Sequence, residues 1–125
     1  MKVIFDTDVI IDVLRGKLET VYQVEDYVNK SDLQACSAIT LGEIFAGMRK
    51  NEEKHTKILL DTISHINVSA EIAELAGTLK RESKSHALHL DDCIIAATAI
   101  TYQAVLITKN VKHYPFRNLE VRKIN

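Results

Sequence analysis

The sequence contains few of the residues that interrupt or cross-link a chain. Its 125 residues include one proline, four glycines, two cysteines and no tryptophan. So little proline and glycine excludes long linkers and low-complexity segments. Cys36 and Cys93 lie in apolar stretches without a pairing pattern, which predicts reduced core residues. No apolar run approaches the roughly 18 residues of a membrane-spanning helix, and no signal-peptide pattern opens the chain. We therefore expect one soluble domain spanning residues 1–125, with a cytoplasmic location.

Charge is nearly balanced, with a formal net charge of −1, but its distribution is uneven. Residues 1–48 contain eight acids and four bases, whereas residues 109–125 contain five bases and one acid. An acidic centre with a basic margin suits a cation-binding site that handles a polyanion. A basic tail is also compatible with ordinary solvated surface.

Short apolar, β-branched runs alternate with segments of helical periodicity. The runs are KVIF (2–5), LQACSAI (33–39), HINVS (65–69), AVLIT (104–108) and a candidate last strand, LEVRKI (119–124). Strands that are apolar on both faces and separated by helices are typical of a parallel sheet covered on both sides. The pattern predicts a three-layer α/β/α sandwich with a mostly parallel central sheet of four or five strands.

Several residues mark where the helices begin and end. Gly16 is predicted to end the first helix, and Ser69 to cap the helix after the third strand. The helix after the second strand is predicted to start at Thr40, and the polar segment RESKSH (81–86) predicts a loop.

Four polar residues fall where such a fold places functional groups. Asp6 ends the first strand, Glu43 lies in the first turn of the helix after the second strand, and Asp92 opens the helix CIIAATAI. Thr108 ends the strand VLIT. If these ends adjoin, three carboxylates share one cavity, and such like charges need a compensating cation. Hard oxygen ligands favour Mg²⁺ or Mn²⁺.

The same acids also have structural interpretations. Thr40 and Glu43 match the S/T-x-x-E capping box, in which the glutamate binds the backbone of the threonine. Asp91 and Asp92 can serve as a helix cap and a first-turn acid. Both interpretations stay open beside the metal-site hypothesis.

Three aspartates stand close together in the segment VIFDTDVIID. Asp8 is a candidate cap for the first helix, and Asp12, one turn further on, is expected to face solvent. Asp6 is harder to explain structurally, because a carboxylate at a buried strand end needs dedicated hydrogen-bond donors.

Four motifs occur in order along the chain: VIFDTDVIID, SAITLGE, DCIIAATA and LITKNVKHYP. They are a strand ending in Asp-Thr, a Thr-x-x-Glu at a helix start, an aspartate opening an Ile-Ile-Ala-Ala helix, and a strand ending in Thr-x-Asn before an aromatic loop. The ordered set resembles the PIN-domain family, specifically the VapC-type toxin ribonucleases of type II toxin–antitoxin systems. The resemblance covers the whole chain as a single PIN-like domain.

The resemblance implies a Mg²⁺- or Mn²⁺-dependent endoribonuclease with six catalytic residues, three of which hold the metal. The metal residues are Asp6, Glu43 and Asp92, and the remaining three are Thr7, Thr108 and Asn110. The threonines would orient ligands or water. Asn110 stands where many relatives carry a fourth aspartate, which leaves the number of metal ions open. The roles of Asp8, Asp91 and His113 also stay open.

The resemblance further implies three partners: an RNA substrate, a second copy of the chain in a homodimer, and a cognate antitoxin whose carboxy-terminal segment covers the acidic cavity. The bases of residues 109–125 would supply salt-dependent affinity for RNA. They are Lys109, Lys112, Arg117, Arg122 and Lys123.

Two other functions are compatible with parts of the pattern. Asp6-Thr7-Asp8-Val9 approximates the opening motif of haloacid dehalogenase-like phosphatases, with Asp6 as the nucleophile. The glycine that usually follows is missing, and the Asp91-Asp92 pair opens a helix where those enzymes end a strand. The third possibility is a non-catalytic RNA-binding or partner-binding module of PIN-like fold, although carboxylates repel phosphates.

Overall fold

The computed structural model describes residues 1–84 and 88–125. Five strands form one sheet in the order β3-β2-β1-β4-β5, and all neighbouring pairs are parallel. The strands are β1 (Lys2–Phe5), β2 (Leu33–Ser37), β3 (Ser64–Ile66), β4 (Val105–Thr108) and β5 (Val121–Lys123). The predicted parallel sheet is confirmed, and the candidate last strand is part of it.

The described residues form six α-helices and two short 3₁₀ turns. The helices are α1 (Thr7–Leu14), α2 (Leu18–Asn29), α3 (Ala38–Gly47), α4 (Glu53–Leu60), α5 (Ala70–Glu82) and α6 (Leu90–Tyr102). The 3₁₀ turns are Lys50–Glu52 and Val111–His113. None of the helices in the described ranges is long and apolar enough to cross a membrane.

Successive residues of β1 face opposite sides of the sheet, as strand geometry requires. Val3 and Phe5 pack with apolar side chains of α1, α2 and α4. Ile4 packs on the other side with α5 and α6. Val3, Ile4 and Phe5 are each at most 1 % exposed, so the sheet is covered on both faces. The predicted three-layer α/β/α sandwich is confirmed.

Local hydrogen bonds explain where the helices begin and end. The Ser69 Oγ accepts from the Ile72 N–H at 3.1 Å and caps α5, as predicted. Gly16 adopts a φ of +72° just after α1, which glycine tolerates best. The predicted start of α3 at Thr40 is wrong, because Ser37 accepts from the Ile39 N–H at 3.2 Å and the helix starts at Ala38.

The predicted loop at 81–86 begins later than expected, because α5 continues to Glu82. Residues 85 and 86 of that loop lie outside the described residues.

The carboxyl ends of β1 and β4 adjoin at the centre of the sheet. Phe5 pairs with Ile107, and the N–H of Asp6 donates to the Ile107 carbonyl at 2.9 Å. The chain leaves β1 towards β2 on one side and returns as β4 on the other, so the strand order reverses between β1 and β4. Open parallel sheets bind their ligands at such a point.

Candidate active site

Asp6 lies where β1 passes into α1 and is 7 % exposed. Its Oδ1 accepts from the Thr7 N–H at 2.8 Å, and its Oδ2 accepts from the Thr108 hydroxyl at 2.7 Å. The Asn110 N–H donates to Thr108 Oγ1 at 3.0 Å. Thr7 and Thr108 thus supply the dedicated donors that the buried Asp6 carboxylate needs, and the Thr108 bond joins the ends of β1 and β4. The predicted cap of α1, Asp8, is wrong, because Asp6 occupies the cap position.

Thr7 connects α1 to α3 through its side chain. Its hydroxyl donates to Glu43 Oε1 at 2.7 Å and lies 2.9 Å from Thr40 Oγ1. Because one hydroxyl has a single proton, Thr40 is the donor in the second contact. Glu43 therefore contacts α1, not the start of its own helix. The capping-box interpretation is wrong, since α3 begins before Thr40 and both residues lie inside it.

Asp92 lies in the first turn of α6, next to Asp91, and His89 occupies the cap position of that helix. Asp92 Oδ2 lies 4.0 Å from His113 Nδ1, and Asn110 Nδ2 lies 2.9 Å from His113 Nε2. The amide nitrogen of Asn110 can only donate, so Nε2 accepts and the proton of a neutral ring is assigned to Nδ1, which faces Asp92. His113 thus lies between Asn110 and Asp92.

Three acidic residues at this edge, Glu43, Asp92 and Asp8, have raised pKa values. Burial raises the pKa of Glu43, and the charges of Asp91, Asp6 and Asp92 raise it further. Burial and the Asp6 charge likewise raise the pKa of Asp92. Burial, followed by the Asp6 charge, raises the pKa of Asp8 to about 6. The three predicted metal residues therefore share one electrostatic field, together with Asp8.

The donor set fits a hard divalent cation in chemistry and in charge. Its ligands are carboxylate oxygens, and Oδ1 of Asp8 is buried without a hydrogen-bond partner in the described part of the chain. Within residues 1–84 and 88–125, no three acidic, histidine or cysteine side chains stand close enough to ligate one ion. Asp6 and Glu43 use oxygens on threonine hydroxyls instead.

Asp12 is 9 % exposed, so the prediction that it faces solvent is wrong. Its Oδ2 lies 2.7 Å from Lys109 Nζ and 3.5 Å from Lys17 Nζ, and it accepts from the Thr20 hydroxyl at 3.2 Å. Burial opposes ionisation, but these partners outweigh it and hold the pKa of Asp12 below its ordinary value. Helical spacing could not reveal a partner that comes from the far end of the chain.

Tyr114 is a site residue that the sequence did not identify. It is 3 % exposed, and its buried hydroxyl lies beside the Asp6 carboxylate without forming a hydrogen bond of good geometry in the described part of the chain. Burial and the charges of Asp6 and Asp92 raise its pKa far above the ordinary value, so the phenol stays protonated. The only signal was an aromatic residue after the strand VLIT, which also suits loop packing.

Together these features define an α/β protein with an acidic candidate active site at the carboxyl edge of a parallel sheet. The family profile of the PIN domain matches residues 3–119. The chain belongs to the PIN-domain family. This assignment overturns the haloacid dehalogenase-like alternative. Asp91 and Asp92 lie in the first turn of a helix, whereas those enzymes have the corresponding pair at the end of a strand.

Relatives and solved structures agree with this assignment. Ribonuclease VapC19 from Mycobacterium tuberculosis is 33% identical over 117 residues, which cover 92% of this chain and 93% of the relative. A toxin–antitoxin complex from Klebsiella pneumoniae contains a chain that is 34% identical, with a TM-score of 0.83 and coverage of 98% and 97%. VapBC2 from Rickettsia felis, solved with a promoter DNA fragment, shares the fold with a TM-score of 0.87 at 23% identity over 100% of both chains.

Proposed function

We propose that this protein is a Mg²⁺- or Mn²⁺-dependent endoribonuclease that acts as the toxin of a type II toxin–antitoxin pair. The observation that carries the proposal is the shared field of Asp6, Glu43 and Asp92 at the carboxyl edge of the sheet. Three carboxylates in one field repel an RNA phosphate unless a cation lies between them. The similarity to a protein named as a ribonuclease supports RNA as the substrate.

Asp6, Glu43 and Asp92 are the residues that would hold the cation. A bound divalent cation supplies a Lewis acid that stabilises charge on a phosphodiester and makes water a stronger acid. Thr108 and Thr7 hold the Asp6 and Glu43 carboxylates in place through hydrogen bonds of 2.7 Å each. Asn110 fixes the tautomer of His113, whose Nδ1–H then faces Asp92. In this proposal the side chains orient and retain the charged groups, and the exposed edge admits a single-stranded segment of RNA.

The proposal includes a cognate antitoxin and a homodimer. Solved relatives are described as toxin–antitoxin complexes, and one of them is 34% identical to this chain. An antitoxin segment that covers the acidic edge would block access of RNA to it. The location proposed is the cytoplasm, where the RNA substrate is found.

The test is cleavage of total cellular RNA by the purified full chain with Mg²⁺, with Mn²⁺ and with EDTA. The variants are Asp6→Asn and Asp92→Asn, and Asp61→Asn is the matched control because Asp61 is exposed at the end of α4. We expect discrete fragments from the unmodified protein and from the control, and loss of cleavage of at least a hundredfold with EDTA or with either site variant. Absence of cleavage with both metals, in folded protein free of antitoxin, would instead favour the non-catalytic binding module.

A further inference from the structure

Lys109 joins the strand-end segment of the candidate active site to α1. It lies between Thr108, whose hydroxyl donates to Asp6, and Asn110, whose side chain contacts His113. The side chain of Lys109 reaches the second turn of α1, where its Nζ lies 2.7 Å from Asp12 Oδ2. The Lys109 side chain is 31% exposed and that of Asp12 12%. Because the carboxylate is largely covered, this partly exposed ion pair is screened less than a fully exposed surface pair.

Asp12 also has partners other than that lysine. Its carboxylate accepts from Thr20, which is 0 % exposed, and also lies 3.5 Å from Lys17 Nζ. The buried Thr20 contact holds Asp12 between α1 and the first turns of α2, whereas Lys17 is a longer and more exposed contact. Because Asp6 caps α1 and Thr7 is its first residue, the helix that Lys109 binds is the helix that presents two residues of the site.

We propose that the Asp12–Lys109 ion pair is a positioning clamp that holds residues 108–113 against α1, so that Thr108 faces Asp6 and Asn110 faces His113. The effect on catalysis rests on the proposed function, whereas the effect on the segment does not. The clamp also changes the role predicted for one residue of the basic margin. Lys109 uses its ammonium group on Asp12, so it is a positioning residue and not a phosphate ligand.

The kinetic test compares Lys109→Met with Lys109→Arg, and uses Lys17→Met as the matched control. Lys17 contacts the same carboxylate oxygen but does not belong to the strand-end segment. We expect Lys109→Met to lower kcat at least tenfold with KM for RNA nearly unchanged, because small displacements of positioned groups cost rate. Lys109→Arg should restore most of kcat, and Lys17→Met should behave like the unmodified protein.

The salt dependence separates positioning from phosphate binding. Loss of a phosphate contact reduces the slope of log affinity against log salt by about one. We expect this slope to be the same in Lys109→Met and in the unmodified protein. A reduced slope together with a raised KM would overturn the clamp and assign Lys109 to RNA binding.

Amide hydrogen exchange tests the clamp without any catalytic activity. The N–H groups of Asn110, His113 and Tyr114 donate within this segment at 3.0, 3.1 and 3.0 Å. We expect them to exchange at least fivefold faster in Lys109→Met and in Asp12→Asn, with the amides of α5 unchanged. Faster exchange in a protein that cuts no RNA would uphold the clamp while the proposed function fails. Unchanged exchange in both folded variants would overturn the clamp, whatever the activity.

Discussion

At the scale of single residues, the pKa values of Asp8, Glu43 and Asp92 are raised in the fold. Asp8 shows this most clearly, because its pKa is raised from 3.8 to about 6 by burial and by the nearby Asp6 charge. The folded protein therefore binds this proton more tightly than the unfolded chain does. The stabilisation is fully present below pH 3.8 and is lost as the pH rises through about 6.

The substitution Asp8→Asn is expected to remove this loss, since an amide does not ionise. We expect the difference in free energy of unfolding between the variant and the unmodified protein to be about 1 kcal/mol more favourable to the variant at pH 7.5 than at pH 4. This figure is reduced for partial solvent exposure. Urea unfolding in EDTA at the two pH values measures it. A stability difference that is the same at both pH values would show that Asp8 ionises normally in the fold.

The Tyr114 hydroxyl offers a second residue-scale prediction. The hydroxyl is buried beside the Asp6 carboxylate without a hydrogen bond of good geometry, so it carries a desolvation cost. Tyr114→Phe removes the oxygen with little change of shape. We expect the free energy of unfolding to rise by about 1 kcal/mol in metal-free protein. Tyr22→Phe is the control, because Tyr22 is 64% exposed and should leave stability unchanged. A loss of stability in Tyr114→Phe would reveal a hydrogen bond that forms in solution.

Sequence reasoning at this scale succeeded where position along an element determines location. Asp6, Glu43 and Asp92 lie at a strand end and at helix starts that meet at one edge of a parallel sheet, and their charges act on one another's surroundings there. Their role as metal residues stays a prediction. Sequence reasoning failed for Asp12, whose burial depends on Lys109. A side chain's partner from a distant strand end leaves no periodic signal near the residue itself.

At the scale of elements, the turn after α1 has a left-handed conformation that glycine adopts more easily than other residues. Gly16 has a φ of +72°, and a Cβ there would meet no atom within 4 Å. Gly42 lies inside α3, where a Cβ would also meet nothing within 4 Å. The two glycines therefore differ in backbone conformation and not in available space.

Alanine at these two glycines should change stability in opposite directions. We expect Gly16→Ala to lower the free energy of unfolding by about 1 kcal/mol, because an alanine side chain strains the left-handed conformation. Gly42→Ala should raise it by about 0.5–1 kcal/mol, because glycine weakens a helix interior. Urea titrations of both variants measure the difference. If both variants shift in the same direction, the conformation after α1 is not what glycine provides there.

The start of α3 shows why element boundaries were harder to predict than element types. Ser37 and Thr40 are both good capping residues, and Glu43 stands where a capping box would use Thr40. In the fold, Glu43 does not cap the backbone at Thr40, because its Oε1 accepts from the Thr7 hydroxyl at 2.7 Å. Only the packing of α1 beside α3 makes that partner available.

At the scale of the whole molecule, a cation at the acidic edge should stabilise the fold. Ligand that binds only the native state at a hundred times its dissociation constant adds about 2.7 kcal/mol. We expect Mn²⁺ or Mg²⁺ to raise the Tm at pH 7.5, and to do so much less at pH 4.5, where the raised pKa values of Asp8, Glu43 and Asp92 favour protons.

Thermal unfolding with and without metal measures this effect, and Asp6→Asn is the variant in which it should disappear. Asp61→Asn is again the control and should keep the full shift in Tm. A shift of equal size in Asp6→Asn would place the cation elsewhere on the molecule.

The architecture as a whole was the most predictable level, because alternating apolar strands and helices allow few arrangements other than a covered parallel sheet. The strand order was not predicted. Which strands flank β1 depends on long-range pairing, and the sequence of β4 does not specify which strand it pairs with.

The position of β1 between β2 and β4 also determines when the site can exist during synthesis. The hydrogen bond from Thr108 to Asp6 closes a sequence separation of 102 residues. At a translation rate of about 5–20 residues per second, Asp6 is made roughly 5–20 s before Thr108. Until then the first strand lacks one neighbour, and Asp6 lacks the donor from β4. A growing chain on the ribosome therefore cannot complete the acidic edge until nearly all of the sheet has been synthesised.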